Sequence, residues 1–147
     1  MSLGHLQGKR VYFDTNPSIY FTEQHDHFYQ AVKPFFQMIQ AETLIACTSD
    51  FTLTELLIKP HRQQEMEIIQ AVHALLLDSN KFEMLECKQA VFLEAAKLGG
   101  TTTLRTPDAI HVACAVLNQC DFFITNDQRI RSVGEMKVLQ ISDYLNL

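Results

Sequence analysis

The sequence lacks any apolar stretch long enough to cross a membrane. Its longest uncharged apolar stretch, around residues 71–77, is far shorter than the roughly 20 residues that a membrane-spanning helix needs. Residues 1–8 contain no apolar segment typical of a signal peptide, and we interpret part of them as a cloning remnant. We therefore expect an N-terminal extension over residues 1–8 and a single cytoplasmic domain over residues 9–147.

The sequence also lacks the cysteine spacing of a zinc or redox site. Its four cysteines include no C-x-x-C pair, and three stand in apolar surroundings, where cysteine acts as a small hydrophobic residue. Positive charge is scarce as well. The net charge of −5 argues against a protein that coats nucleic acid through a broad basic face. It does not exclude an enzyme that handles one phosphate locally with a bound cation.

Strand and helix patterns alternate along the whole chain. This alternation predicts an α/β fold with a largely parallel central sheet covered by helices on both faces. Apolar runs predict strands at residues 9–14, 43–47, 81–86, 121–127 and 137–141. Amphipathic spacing and capping residues predict helices at residues 16–21, 27–40, 49–60, 62–77, 88–98 and 106–117.

The helix at residues 106–117 is the most apolar element of the chain. Thr106 is suited to the N-cap and Pro107 to the first helical position. From residue 109 onward His111 is its only polar side chain, so the helix is predicted to be buried. We interpret His111 as a hydrogen-bonded core histidine, although its position one turn after Asp108 would also let it reach a site.

Four acidic residues stand at strand ends or near helix starts. In parallel α/β sheets such positions meet at one edge, where binding sites form. Four carboxylates together would repel one another unless a hard divalent cation such as Mg²⁺ or Mn²⁺ bound them. Such ions can activate a water for phosphodiester cleavage, and the sequence contains no G-x-S-x-G motif that would supply a nucleophile instead. The four acids are Asp14, Glu55, Asp108 and Asp127.

Each of these acids also has a purely structural interpretation, as a turn residue, a cap or a partner of a helix dipole. A crowded site has a consequence that a turn residue does not. Mutual repulsion would destabilise the metal-free protein, so we expect Asp127→Asn to be no less stable than the parent in chelator.

The four segments that contain these acids resemble the PIN domain family, and they stand in the family's order. The resemblance extends from residue 11 to residue 139 and implies a three-layer α/β/α sandwich that cleaves RNA with Mg²⁺ or Mn²⁺. It implies that Asp14, Glu55, Asp108 and Asp127 are the catalytic and metal-binding residues. The single-domain length is similar to a VapC-type toxin, which implies an antitoxin partner; we also expect a homodimer. The segments are DTN at 14–16, TLTELLIKP at 52–60, PDAIHVA at 107–113 and FITND at 123–127.

Polar and basic residues beside the acids are candidates for binding the RNA substrate. Hydroxyl and amide groups next to the aspartates would orient waters or backbone, and cations near the acids would hold phosphates. These candidates are Thr15, Thr125, Asn126, Arg105 and Arg129, with Asn16, Lys59, Arg62 and Arg131 as weaker ones. The aromatic residues Tyr20, Phe21, Phe28 and Tyr29 are either core or a partner face.

A second class of function remains open, namely a catalytically weak RNA-binding or scaffold protein with the same fold. Two other classes of protein, in which a strand also ends at a functional Asp, do not fit this sequence. A haloacid dehalogenase-type phosphatase needs a second Asp two residues after the first, where this chain has Asn16. A phospho-acceptor receiver domain needs neighbouring acids early in the chain and a late strand-end Lys, and neither is present.

Overall fold

The computed structural model describes residues 3–145, and its centre is one sheet of five parallel strands. The sheet order is β3-β2-β1-β4-β5, and every neighbouring pair is parallel. The predicted α/β fold with a parallel central sheet is therefore confirmed. The strands are β1 (Arg10–Phe13), β2 (Ile45–Ser49), β3 (Phe82–Leu85), β4 (Phe122–Thr125) and β5 (Lys137–Gln140).

Helices cover both faces of the sheet and complete the three layers. Side chains of β1 alternate between the faces: Val11 and Phe13 pack with one core cluster, and Tyr12 packs with the other. The first cluster includes residues of α2, α3 and α4, and the second includes residues of α5 and α6. The helices are α1 (Thr15–Thr22), α2 (Tyr29–Gln40), α3 (Asp50–Arg62), α4 (Met66–His73), α5 (Gln89–Thr101) and α6 (Thr106–Leu117).

The strand order reverses at β1. The chain adds β2 and β3 on one side of β1 and then returns to add β4 and β5 on the other side. In open parallel sheets, this reversal leaves a crevice beyond the carboxyl ends of the two central strands, where ligands bind. Here Asp14 follows β1, and Asn126 and Asp127 follow β4. The fold thus places two of the four acids at its topological switch point.

Two helices begin at residues other than those predicted. Asp14 rather than Asn16 is the N-cap of α1, and its side chain accepts a hydrogen bond from the Thr15 amide. Arg105 occupies the N-cap position of α6, so Thr106 is already helical and Pro107 lies within the first turn. Asp14 and Asn16 are both good capping residues, and the extended backbone at the end of β1 favours the earlier one.

Two predicted helix ends are wrong. Pro60 does not end α3, which continues to Arg62 with Pro60 buried. Gly99 and Gly100 do not stop α5, which ends at Thr101. A proline or glycine near a helix end is a local preference, and packing of the helix against the rest of the protein can override it.

The single helix predicted over residues 62–77 is also wrong. Residues 63–65 separate α3 from α4, and Gln64 adopts a left-handed backbone conformation (φ 56°) that a helix cannot contain. After α4 the chain widens into a π-type turn, Ala74–Asp78. Residues 62–77 do have amphipathic spacing, but this spacing does not distinguish one continuous helix from two segments separated by a short break.

Both ends of the described chain pack against the domain. Leu6, within the short 3-10 turn Gly4–Leu6, is fully buried, and Tyr144 packs edge-on against Phe35. Of the proposed cloning remnant, residues 1 and 2 lie outside the described residues, as do residues 146 and 147 of the C-terminal tail. Among residues 3–145, no helix is both long and apolar enough to cross a membrane.

Candidate functional site

Asp14 is the most deeply buried of the four acids. Its side chain lies in the switch-point crevice and is only 5% exposed. The Thr15 amide donates a hydrogen bond to Oδ1 (2.8 Å), and the Thr125 hydroxyl donates one to Oδ2 (2.7 Å). These two donors satisfy a carboxylate that would otherwise be costly to bury, and they fix its orientation between β1 and β4.

Glu55 reaches the site from the second turn of α3. The hydroxyl of Thr15 donates to its Oε1 at 2.6 Å, and Nε2 of His111 lies 2.5 Å from the same oxygen. Partial burial alone would raise the pKa of Glu55, but the hydrogen bonds from His111 and Thr15 outweigh it, and the pKa is lowered. Glu55 is therefore ionised at neutral pH.

His111 is a site residue that the sequence did not assign to the site. The prediction that it is a hydrogen-bonded core histidine is confirmed, since it is 1% exposed. Its Nε2, however, points at carboxylates of the site and lies 3.7 Å from Oδ1 of Asp14 as well as 2.5 Å from Glu55. The signal in the sequence was its spacing, because residues three apart on a helix share a face with each other, here with Asp108.

Asp127 and Asp108 both lie next to Arg129. The Arg129 side chain donates to both oxygens of Asp127, from Nε at 2.9 Å and from Nη2 at 2.6 Å. These hydrogen bonds lower the pKa of Asp127. The same Nη2 is 3.7 Å from Oδ2 of Asp108. Arg129 thus neutralises part of the negative charge at this edge of the sheet.

Asp108 retains the repulsion of its neighbours. Partial burial raises its pKa, and the negative charges of Asp127 and Asp14 raise it further. The pKa of Asp127 is lowered instead, because Arg129 compensates that carboxylate, and the stability of Asp127→Asn in chelator stays a prediction. The repulsion among the three aspartates instead falls on Asp108.

The four acids divide into two groups around Asp14. Asp108 and Asp127 form one group with Arg129, while Glu55 lies on the side of His111. Within residues 3–145, no three acidic, histidine or cysteine side chains lie close enough together to form a ready metal site. The ligand chemistry still fits Mg²⁺ or Mn²⁺, because the side chains are hard oxygen donors and the net repulsion at Asp108 is what a cation relieves.

The predicted substrate-binding residues have distinct positions. Thr15 and Thr125 hold the acids, as described above. The Asn126 amide donates to Oδ1 of Asn16 (3.0 Å), and its side chain donates to the Tyr20 hydroxyl (3.0 Å), so Asn126 braces α1 against the end of β4.

The basic residues near the acids differ in whether they form ion pairs with acidic side chains. Arg105 is exposed, and its charge contributes to the lowered pKa of Asp127, so it lies near the site. Arg129 pairs with Asp127. Lys59 forms an ion pair with Glu23 (3.3 Å). Arg105 is therefore the better candidate for a cation that is free to meet substrate.

The aromatic residues of α1 and the following loop pack mainly on one another. Tyr20 stacks on Phe28 at 4.7 Å between ring centroids. Phe21 stacks on Phe36 at 4.1 Å and on Tyr29 at 5.8 Å. All of them except Phe36, which is buried, keep part of their surface exposed. This packing supports the core interpretation and leaves the partner face as a prediction.

Comparison with known proteins identifies the fold independently of the site. A family model described as the PIN domain matches residues 11–136. A search of curated protein sequences finds no significant relative. The solved structures that resemble the chain include three toxins or toxin complexes, all at low sequence identity.

The first of these is VapBC2 from Rickettsia felis bound to a promoter DNA fragment, with 12% identity, a TM-score of 0.69, and coverage of 89% of this chain and 98% of that one. A toxin–antitoxin complex from Klebsiella pneumoniae has 20% identity, a TM-score of 0.68, and coverage of 89% and 97%. VapC20 of Mycobacterium tuberculosis, a toxin that cleaves the sarcin–ricin loop, has 12% identity, a TM-score of 0.64, and coverage of 77% and 86%.

The two groups of acids predict opposite effects of charge removal on metal-free stability. The lowered pKa of Glu55 stabilises the native state at neutral pH, and that stabilisation is lost as the pH falls through the folded-state pKa. In chelator, Glu55→Gln should therefore lose on the order of 1 kcal/mol of unfolding free energy at pH 7, and the deficit should shrink in acid. Urea denaturation at pH 7 and pH 4 measures both quantities.

Asp108→Asn is the matched comparison. The raised pKa of Asp108 means that its ionised form opposes folding at neutral pH, although its place in the first turn of α6 offsets part of this. Asp108→Asn should therefore not lose stability at pH 7. A Glu55→Gln protein as stable as the parent at pH 7, or an Asp108→Asn protein clearly less stable, would contradict the assignment of charges.

Proposed function

Because the chain belongs to the PIN domain family, we propose that it is a divalent-metal-dependent endoribonuclease, the toxin of a toxin–antitoxin pair. The observation that carries the proposal is the convergence of Asp14, Asp108 and Asp127 at the switch point of the sheet. Their repulsion at Asp108, which Arg129 and His111 offset only in part, supports a bound cation. Structural neighbours that are toxin–antitoxin complexes support an antitoxin partner.

The proposed site uses the four acids as the family resemblance implies. Asp14, Asp108 and Asp127 would hold Mg²⁺ or Mn²⁺, and Glu55 would contribute directly or through a water. When bound, such an ion supplies a water of lowered pKa and stabilises the charge that develops on the phosphate. No side-chain nucleophile is required.

The side chains of this protein prepare the site for that chemistry. Thr15 and Thr125 hold Asp14 rigidly, so its carboxylate does not need to reorganise to bind a cation. Glu55, ionised and 29% exposed at its side chain, presents a carboxylate that can orient a water or accept its proton. Arg129 would exchange its contacts with Asp127 for a substrate phosphate, since both are anionic oxygen acceptors.

The alternative is a catalytically weak RNA-binding or scaffold protein with the same fold. One observation favours this alternative: Asp127 and Glu55 already have cationic or hydrogen-bonding partners within the protein. A weak member of the family would keep these contacts and bind RNA without turning it over.

Metal-dependent turnover separates the two functions. The parent should cleave single-stranded or structured RNA with Mn²⁺ or Mg²⁺ and not in chelator. Asp108→Asn should reduce kcat/KM by at least about 100-fold, because loss of a metal ligand removes several kcal/mol of transition-state stabilisation. Gel-based cleavage of a panel of RNAs provides the measurement. Asp26→Asn, an exposed acid outside the site, is the matched control and should be fully active. RNA binding without turnover, or cleavage that survives Asp108→Asn, would support the alternative.

Arg105 provides a separate test of how substrate binds. If its guanidinium holds an RNA phosphate, Arg105→Ala should weaken RNA binding for all sequences alike and reduce the slope of log K against log salt concentration by about 1. Fluorescence anisotropy of a labelled RNA at several salt concentrations measures this slope. Lys137→Ala, which removes an exposed lysine at the start of β5, at the edge of the sheet opposite the acids, is the control of equal charge. Equal slopes for the two variants would show that Arg105 is a surface charge that does not contact an RNA phosphate.

A further inference from the structure

A buried line of polar groups runs from β1 through α6 to Glu55. The Tyr12 hydroxyl lies 2.7 Å from Nδ1 of His111, and Nε2 of His111 lies 2.5 Å from Oε1 of Glu55. Tyr12 is 0% and His111 is 1% exposed. Outside this line, Ser49 Oγ lies 2.9 Å from the Tyr12 hydroxyl.

This line is built from the same elements that carry the acids. Tyr12 lies on β1, two residues before Asp14, which caps α1. His111 is three residues after Asp108 on α6, so these two share a helix face. The line therefore joins the segments that carry Asp14, Asp108 and Glu55.

The hydrogen-bond partners determine which nitrogen of His111 carries a proton. An ionised carboxylate only accepts hydrogen bonds, so Nε2 must donate to Glu55. The Thr15 hydroxyl donates to the same Oε1 (2.6 Å) and also lies 3.2 Å from Nε2. At the other end, the buried Tyr12 hydroxyl donates to Ser49 Oγ (2.9 Å) and lies 2.7 Å from Nδ1, so it holds the ring from behind.

A histidine whose only role was to fill the core would not need this arrangement. The Nε2–H group lies between two acids of the site, 2.5 Å from Glu55 and 3.7 Å from Asp14. It therefore separates two carboxylates that would otherwise repel each other, and it holds Glu55 at a fixed place beside Asp14. An imidazole that donates from one ring nitrogen to a carboxylate, with the other nitrogen held by a second partner, is a recurring means of orienting groups around metal sites.

We propose that His111, supported from behind by Tyr12, is a positioning residue that holds the Glu55 carboxylate in register with Asp14. Its consequence for catalysis rests on the function proposed above, whereas its consequence for Glu55 does not. His111 does not touch substrate in this proposal; it acts only through Glu55.

Two substitutions of His111 separate positioning from packing. His111→Leu introduces an apolar side chain of similar size and removes the donor, while His111→Gln introduces an amide N–H that can still donate to Glu55. Mn²⁺ titration by calorimetry should show a dissociation constant raised by about tenfold in His111→Leu and by less than about threefold in His111→Gln. In RNA cleavage, His111→Leu should lower kcat by about tenfold with KM within roughly twofold of the parent.

Ser49→Ala is the matched control, because it removes another partner of the same Tyr12 hydroxyl and leaves the contact between His111 and Glu55 in place. It should leave both the Mn²⁺ dissociation constant and kcat unchanged. Thermal melts of all variants report packing separately. Equal Mn²⁺ affinity and equal kcat in parent, His111→Leu and His111→Gln would reduce His111 to a core residue and overturn the proposal.

Nitrogen-15 NMR of the histidine rings in the metal-free parent tests the positioning without metal or RNA. Nε2 of His111 should carry a proton, and Tyr12→Phe should shift the Nδ1 resonance by removing its hydrogen-bond partner. An Nε2 without a proton would overturn the proposal, whatever the cleavage assays show. A parent that cleaves no RNA but has a protonated Nε2 would instead disprove the proposed ribonuclease function and leave the positioning of Glu55 intact.

Discussion

The burial of the Asp14 carboxylate at the end of the central strand is the constraint on which the rest of the site depends. A charge that is 5% exposed is stable only where donors are already in place. The first amide of α1 and the Thr125 hydroxyl of β4 supply them, and the hydroxyl is in place because β1 and β4 are neighbours at the switch point. The same carboxylate thus caps α1, accepts a hydrogen bond from β4 and lies in the crevice.

The other charged groups are arranged around this fixed carboxylate. His111 and Thr15 hold Glu55 on one side, and Arg129 holds Asp127 on the other. Asp108 has only a distant contact with Arg129, at 3.7 Å, and it bears the raised pKa. The negative charges of the four carboxylates are therefore compensated unevenly. The acid with the least internal compensation is the one for which a cation provides the greatest gain.

The sheet and the acids could be predicted from the sequence because their signals are local. Apolar runs end at an acid at Asp14 and again before Asp127, and parallel strands bring such ends to one edge. Helix ends were less predictable, since Asp14 and Asn16 compete for one cap and Pro60 is accommodated by packing.

The charge partners could not be predicted, because they are properties of the folded chain. The partners of His111 lie 99 residues away at Tyr12 and 56 residues away at Glu55. Arg129 is only two residues from Asp127, yet nothing in its local sequence distinguishes an arginine that pairs with that acid from one that faces solvent. For the same reason, the sequence does not show that the pKa of Asp127 is lowered while that of Asp108 is raised.

The most direct test of the metal site is anomalous diffraction from crystals of the parent protein soaked in Mn²⁺. We expect an anomalous peak in the crevice beyond β1 and β4, within roughly 2.0–2.3 Å of an Asp14 oxygen and of an oxygen of Asp108 or Asp127. Arg129 should have moved away from Asp127 in that crystal. Anomalous density absent from the crevice at millimolar Mn²⁺, with Arg129 still paired to Asp127, would contradict this expectation.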